Sequence, residues 1–442
     1  MFLSSFQSYY LFRIFKPGIF CLLVLLATIS NGQSILKGNA SEAILTPPLE
    51  MKYTLGGYGA RMNRPAEAIH DDIKAKALVL EDGAKKYAII TLDILGLPPN
   101  VRHMIVDKLS GKGWTEENIL FLPSHAHTSL EMFALNDKNI FNNPAIGIFQ
   151  SELLVFVVNK LAALIEVTDR DLRDVKIGTG QIKLEGLNRN RRGDSAVDKE
   201  LTVTRVDLSD GKPLAVLVNW TGHPTIMDDD DMWVSCGWPG YLQRELEDWI
   251  GDGVVAMYYN GAEGDQSVVA NKGGSHYEKA EYYGREMAIH AKGIYDNIIP
   301  QQQREFKSTY EIIDLPPRKA HPSFMQTGGE EYQLSEDMIQ GLLEQVLPTH
   351  TSLSAVQIGD LMIVGAPGEM IAELGIDIKN KLKESGIAYP VIGGLANEWI
   401  SYILTPEEYR QSGYESSVSF YGETLGTVIH DEMLKNATNL IR

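Results

Sequence analysis

The chain has 442 residues, 44% of them hydrophobic, and a formal net charge of −18. That length supports a large buried core, in one big domain or two to three smaller ones. The acidic balance excludes the basic face that nucleic-acid binding needs, and it does not favour anionic membrane surfaces.

The N-terminus differs from the rest. Arg13 and Lys16 precede an apolar run over residues 18–29, and the small and polar residues 30–33 follow. This three-part layout predicts a secretory signal peptide over 1–32, cleaved near Gly32. The run is short for a membrane span, with an uncleaved anchor as the alternative. Secretion, or export to a bacterial periplasm or envelope, follows. Cys21 lies within the apolar run, which leaves Cys236 alone in residues 33–442, read as a buried small residue rather than a nucleophile.

Residues 75–80 and 87–92 are β-rich runs around Asp82 and Gly83, a predicted hairpin. Residues 100–109 have helical spacing. Residues 119–122 form a short buried strand that stops at Pro123, and 148–165 carry an apolar helical pattern. Residues 201–207 and 214–218 flank the turn from Ser209 to Lys212, a second hairpin. A helix over 241–250 and a strand over 254–259 come next. Residues 301–341 are polar and irregular and read as an inserted flap. Residues 352–358 and 361–364 make a third hairpin across Gly359 and Asp360, and a last helix runs to Leu434. The pattern predicts an α/β fold, with a mixed β-sheet core and flanking helices. No internal repeat or low-complexity tract interrupts it.

Chemistry gathers where strands end. His125 and His127, two apart just beyond the strand at 119, can point to one side of an extended segment. His223 caps the strand at 214 in the same way. Each alone is compatible with a buried structural histidine; two such sites in one chain point to a metal. Zinc takes three or four His, Cys, Asp or Glu ligands, and a catalytic site leaves one position open. With no cysteine cluster, a carboxylate is needed. Glu369 offers one after the Gly365-Ala366-Pro367-Gly368 bend, where it reads as opening a helix; a helix N-terminal acid is its structural alternative. Asp93, ending a strand, reads as a partner for a ligand histidine. The run Asp228 to Asp231 reads as a solvated or calcium-touched loop.

The order of motifs resembles the neutral/alkaline non-lysosomal ceramidases over nearly all of residues 33–442. Gly56-Gly57-Tyr58-Gly59 and residues 68–80 look like the family's opening. Ser124-His125-Ala126-His127 resembles its Thr-His-Thr-His-Ser-Gly-Pro motif, and Asn188-Arg189 its Asn-Arg-Ser-Pro. Asp198-Lys199-Glu200, Gly222-His223-Pro224, residues 260–267 and Pro367-Gly368-Glu369 follow in order. Residues 396–402, 405–409 and 413–415 are similar to its C-terminal signature.

The resemblance implies one zinc ion per chain, held by His125, His223, Glu369 and Tyr402. It implies a zinc-activated water that cleaves the N-acyl amide bond of ceramide or a related lipid amide. His127 would shuttle a proton, while Arg189 and Tyr414 would steady the oxyanion. As the alternative, Arg189 is a solvated member of a cluster with Arg191 and Arg192. Ser267 matches a serine once read as the nucleophile and is expected to position substrate or hold the Gly264-Asp265 turn. The sequence is expected to comprise the catalytic part, 33–442, without the family's immunoglobulin-like domain.

Three motif edges depart from the family, at Thr128-Ser129-Leu130, at Asn190-Arg191-Arg192 and at Val268. They leave room for a different amide or ester substrate, or for a non-catalytic zinc-stabilised binding protein. The expected partner is a small lipid-like amide, with transient membrane-surface contact compatible and no obligate protein partner.

Overall fold

Two hydrophobic strands, Lys74–Glu81 and Lys86–Leu92, set the architecture. Nearly every side chain in both is buried, so both faces of their sheet must be covered. They pair antiparallel around Gly83, whose φ of 86° suits the turn. A computed structural model describes residues 35–303 and 305–441; the predicted leader lies outside the described residues.

The hairpin belongs to a long mixed sheet. Its path runs Val255–Asn260, Pro213–Trp220, Glu200–Leu208, Arg173–Lys183, Lys37–Ile44, Lys74–Glu81, Lys86–Leu92 and Ile119–Pro123. The two end pairs are parallel and the inner pairs antiparallel. A second sheet takes Phe306–Asp314, His350–Ile358, Leu361–Gly365 and Tyr389–Gly393 in that order.

Four hydrophobic clusters fill the three layers between these sheets and their helices. Leu78, Ile89, Leu120 and Leu122 of the long sheet meet Val356, Leu361 and Ile363 of the second one. The other face of the long sheet is covered at one end by helix Ser151–Thr168 and at the other by Gly237–Ile250 and His276–Asn297. Helices Ala372–Glu384 and Leu425–Thr438 cover the second sheet. The helix–sheet–sheet–helix stack is the α/β arrangement the sequence predicts, and all three hairpins form. No described helix is long and apolar enough to cross a membrane.

The segment expected to be a flap divides in two. Phe306–Asp314 is a full-length partner of His350–Ile358. It is an edge strand whose outer face is half-exposed and therefore polar, so its composition hid it. Beyond it, short helices at Phe324–Gln326, Gly328–Glu331 and Glu336–Gly341 cover the functional pocket.

The Asp198-Lys199-Glu200 motif is a brace. The buried Lys379 ammonium sits 2.6 and 2.7 Å from the Asp198 carboxylate oxygens and 3.0 Å from Glu200, and Thr221 donates to Asp198 at 2.9 Å. Charges buried this deeply persist only when paired, so the brace locks helix Ala372–Glu384 to the strand beginning at Glu200.

Candidate metal centre

Strand Ile119–Pro123 ends at a proline that can donate no further ladder bond. The chain turns there, and His125 adopts a left-handed φ of 68°. For a non-glycine residue that costs about 1–3 kcal/mol and persists only where the surroundings enforce it. Its backbone N–H is held by the Ile94 carbonyl at 3.0 Å, and its ring Nδ1 donates to the Leu95 carbonyl at 2.6 Å. The carbonyl can only accept, so the proton is fixed on Nδ1 and Nε2 is left free. His223, past strand Pro213–Trp220, repeats the device: its Nδ1 faces the Glu263 carbonyl at 3.3 Å.

Both free nitrogens converge on one carboxylate oxygen. His125 Nε2 lies 3.4 Å and His223 Nε2 3.7 Å from Glu369 Oε2. Tetrahedral ligands about 2.05 Å from a zinc ion stand about 3.3 Å apart, and both separations are close to that. Glu369 Oε1 accepts from Trp399 Nε1 at 2.8 Å, while Oε2 has no hydrogen-bond partner. Both nitrogens of the buried His127 also lack partners, and its ligating atoms lie within 4.8 Å of those of His125 and His223. Buried polar atoms left unpaired are costly. Here they gather at one point with a donor set that suits a divalent metal.

Burial acts to raise the pKa of Glu369, but the neighbouring His125 first, and Tyr402 and Trp399 after it, outweigh burial and keep the carboxyl below its usual range. Burial, reinforced by His125, Arg61 and Arg191, holds His127 well below an ordinary histidine. His127 is thus neutral.

Glu369 does not open a helix. It lies in a two-residue parallel bridge, paired in register with Tyr402, while the helix begins at Ala372. The bridge sets the two side chains next to one another.

Arg189 is not at the site. In strand Asn188–Asn190 the two asparagines point inward, to the Asp198 carbonyl at 2.7 Å and to Asp265 at 2.6 Å, so the residue between them faces solvent. Arg191 reaches in instead. It donates to Tyr402 Oη at 3.0 Å, the Gly264 carbonyl at 2.8 Å and Glu415 at 2.7 Å. The repeat Asn188-Arg189-Asn190-Arg191 makes the motif match ambiguous by two residues; the strand ends at Asn190, and Arg191, freed from its alternation, makes the inward contacts. Arg192 is likewise no solvated residue: it pairs with Glu408 and with Glu415.

Ser267 pairs with Arg189 on one side and bridges His223 on the other, outside the pocket lining. Asp93 is buried but contacts Gln243 at 2.8 Å and the Lys74 N–H at 3.0 Å; carbonyls, not Asp93, orient the histidines. Cys236 is buried and hydrogen-bonded to Asp71, its thiol pushed up by burial first and by Asp71 and Asp93 next.

Two residues carry the site without having been singled out. Asn260 Nδ2 donates to the carbonyls of Ser124 at 3.3 Å and Gly222 at 3.2 Å, and its Oδ1 accepts from Gly222 N–H at 3.1 Å. It clips the two histidine turns together across the ends of different strands. Buried Arg61 donates to the carbonyls of Gly56 (2.6 Å), His127 and Asp228 (2.8 Å), which ties the aspartate loop to the site by its backbone.

One wall of the site opens into an apolar pocket of about 90 Å³, with His125, His127, Glu369, Tyr402 and Tyr414 at the polar end. Glu131 also lines it, its carboxyl pushed up to about 7 by burial against the hydrogen bonds of Phe133 and Gly57. A carboxyl raised above its unfolded value of about 4.5 stabilises the fold fully below that pH and less as pH rises to about 7. From pH 4 to pH 8, wild type is expected to lose about 3 kcal/mol of stability relative to Glu131→Gln. Urea unfolding of both proteins at the two pH values measures this; parallel curves would refute it.

Fold and site together define an α/β protein whose pocket presents histidine and carboxylate groups as candidate ligands for a metal ion. The family model for neutral/alkaline non-lysosomal ceramidase, N-terminal, matches residues 38–281 and 339–429, and the chain belongs to that family. The neutral ceramidase of Pseudomonas aeruginosa is 22% identical over 451 residues, covering 83% of this chain and 66% of that protein. Neutral ceramidase B of Dictyostelium discoideum is 20% identical over 482 residues, covering 82% and 67%. The chain therefore spans about two thirds of the length of these relatives. The crystal structure of the Pseudomonas aeruginosa protein shares the fold, with a TM-score of 0.80 at 20% identity over 92% of this chain and 75% of that one.

Proposed function

We propose that residues 33–442, exported behind a cleaved leader, form a zinc-dependent amidohydrolase. It cleaves the N-acyl amide bond of ceramide or a related lipid amide into a fatty acid and an amine. The observation that carries this reading is the convergence of His125 and His223 Nε2 on Glu369 Oε2 at the mouth of an apolar pocket. Tyr402, beside Glu369, is the fourth candidate ligand.

Zinc, when bound, would supply a Lewis acid for the amide carbonyl and acidify a water molecule. The residues do the rest. His127, neutral and without hydrogen-bond partners, accepts a proton at a ring nitrogen and returns it to the leaving amine. Tyr414, in the pocket lining, and Arg191, behind Tyr402, would supply donors for the charge that develops on the carbonyl. Ser267 holds the His223 turn through the backbone and has no chemical step.

The test is release of free fatty acid from fluorescent ceramide and from simple N-acyl amides, with and without chelator. Chelator-sensitive cleavage restored by zinc is expected. Chelator-resistant cleavage, or none with zinc bound, would overturn the reading.

A further inference from the structure

We infer that the apolar pocket admits only a short arm of the substrate, of no more than about six carbons, on one side of the scissile amide. This rests on the amidohydrolase reading for its chemistry, but its geometry stands alone. The far wall is formed by Phe324, Leu334, Leu342, Val418 and Phe420, all buried. The space they leave is about 90 Å³. An apolar cavity of about 150 Å³ holds benzene, so this one takes no more carbon than that ring. A long acyl or sphingoid chain needs several times the room.

The wall is fastened from three directions. Phe324 packs edge-on to Phe420 with ring centroids 5.4 Å apart. Asn143 Nδ2 donates to the Tyr332 carbonyl at 3.1 Å. The Tyr332 hydroxyl meets that of Tyr414 at 3.0 Å, which ties the cover to a residue at the polar end. A side chain at Gly59 would come within 2.5 Å of the Glu331 carbonyl, so the cover also lies directly on the opening glycine motif. Phe324, Tyr332 and Leu334 fall between the two stretches matched by the family model, which end at 281 and resume at 339. Part of the wall is thus built by residues that the family pattern does not include, while Leu342, Val418 and Phe420 lie within it, and the substrate class the wall selects is a short-armed N-acyl amide.

The experiment uses straight-chain carboxylic acids from acetate to decanoate, titrated calorimetrically into the zinc-reconstituted protein. Each buried methylene strengthens binding about fourfold. Affinity is expected to climb at that rate to about hexanoate and then level or fall. A climb that continues through decanoate would overturn the inference. Leu334→Ala is expected to move the break to longer acids; an unmoved break in a folded variant would also overturn the assignment of the wall. Parallel assays with amides varied on the acyl and the amine arm separate the two readings. Equal kcat/KM for long and short chains on both arms removes the length limit and keeps the hydrolase. A binding ladder that stops near six carbons without any turnover keeps the pocket and removes the hydrolase.

Discussion

Replacing His223 by alanine is expected to strip zinc from the protein and to lower kcat/KM for an N-acyl amide at least about 10³-fold. Loss of a residue that merely orients a ligand typically costs about 10–100-fold in metal affinity or activity, and His223 is a direct ligand in this reading. The side chain is buried, its Nδ1 is committed to the Glu263 carbonyl, and its Nε2 is 3.7 Å from Glu369 Oε2. Alanine leaves that carboxylate oxygen with His125 alone. Metal content after dialysis is one readout and thermal unfolding the other. A ligand at about 1,000 times its Kd stabilises a fold by about 4 kcal/mol, so chelator should lower the Tm of wild type and leave His223→Ala unmoved. A variant that keeps stoichiometric zinc and full turnover would remove His223 from the centre.

The second large effect separates two arginines two residues apart. Arg191→Ala is expected to lower kcat about 10²- to 10³-fold with little change in KM, the behaviour of a lost transition-state donor. Arg189→Ala should stay within about twofold of wild type, as solvent-facing substitutions do. The fold tolerates loss of Arg191, because Glu415 keeps Arg192 at 2.8 Å. Arg191→Lys should recover only part of the rate, since an ammonium cannot reproduce the guanidinium fork shared among Tyr402, Gly264 and Glu415. Steady-state kinetics of the three variants decide the matter, and a damaging Arg189→Ala beside a silent Arg191→Ala would reverse the assignment.

What could be read in the sequence was whatever local periodicity controls. The buried strands ending at Pro123 and Trp220 announced themselves as apolar runs, and the histidines stood just past them. Glu369 was found as a residue but misplaced, because a two-residue bridge to Tyr402 has no periodic signal. Tyr402 entered only by resemblance, for the same reason. Arg189 was preferred over Arg191 because a tandem repeat gives two equal alignments until it is known that the strand ends between them, at Asn190. Asp93 failed because its backbone turns the carboxylate toward Gln243 of the neighbouring helix. Asn260 was seen as the first residue of the 260–267 motif but its role was not, and Arg61 was not seen at all: their partners are mostly backbone carbonyls, and no side-chain pattern encodes a carbonyl's position.

The Asn260 clip bears on the order in which the molecule comes together. It joins turns at Ser124 and Gly222, and the cluster it steadies also draws on Glu369 and Tyr402, near the far end of the polypeptide. The entropy of closing such loops grows with their length, and hairpins form long before contacts this remote. The local hairpins can therefore exist while the donors are still apart, and capture of the ion becomes a late event that reports completion. Zinc uptake followed during refolding would then lag behind recovery of secondary structure, and an exported chain would acquire its ion in the compartment where it finishes folding.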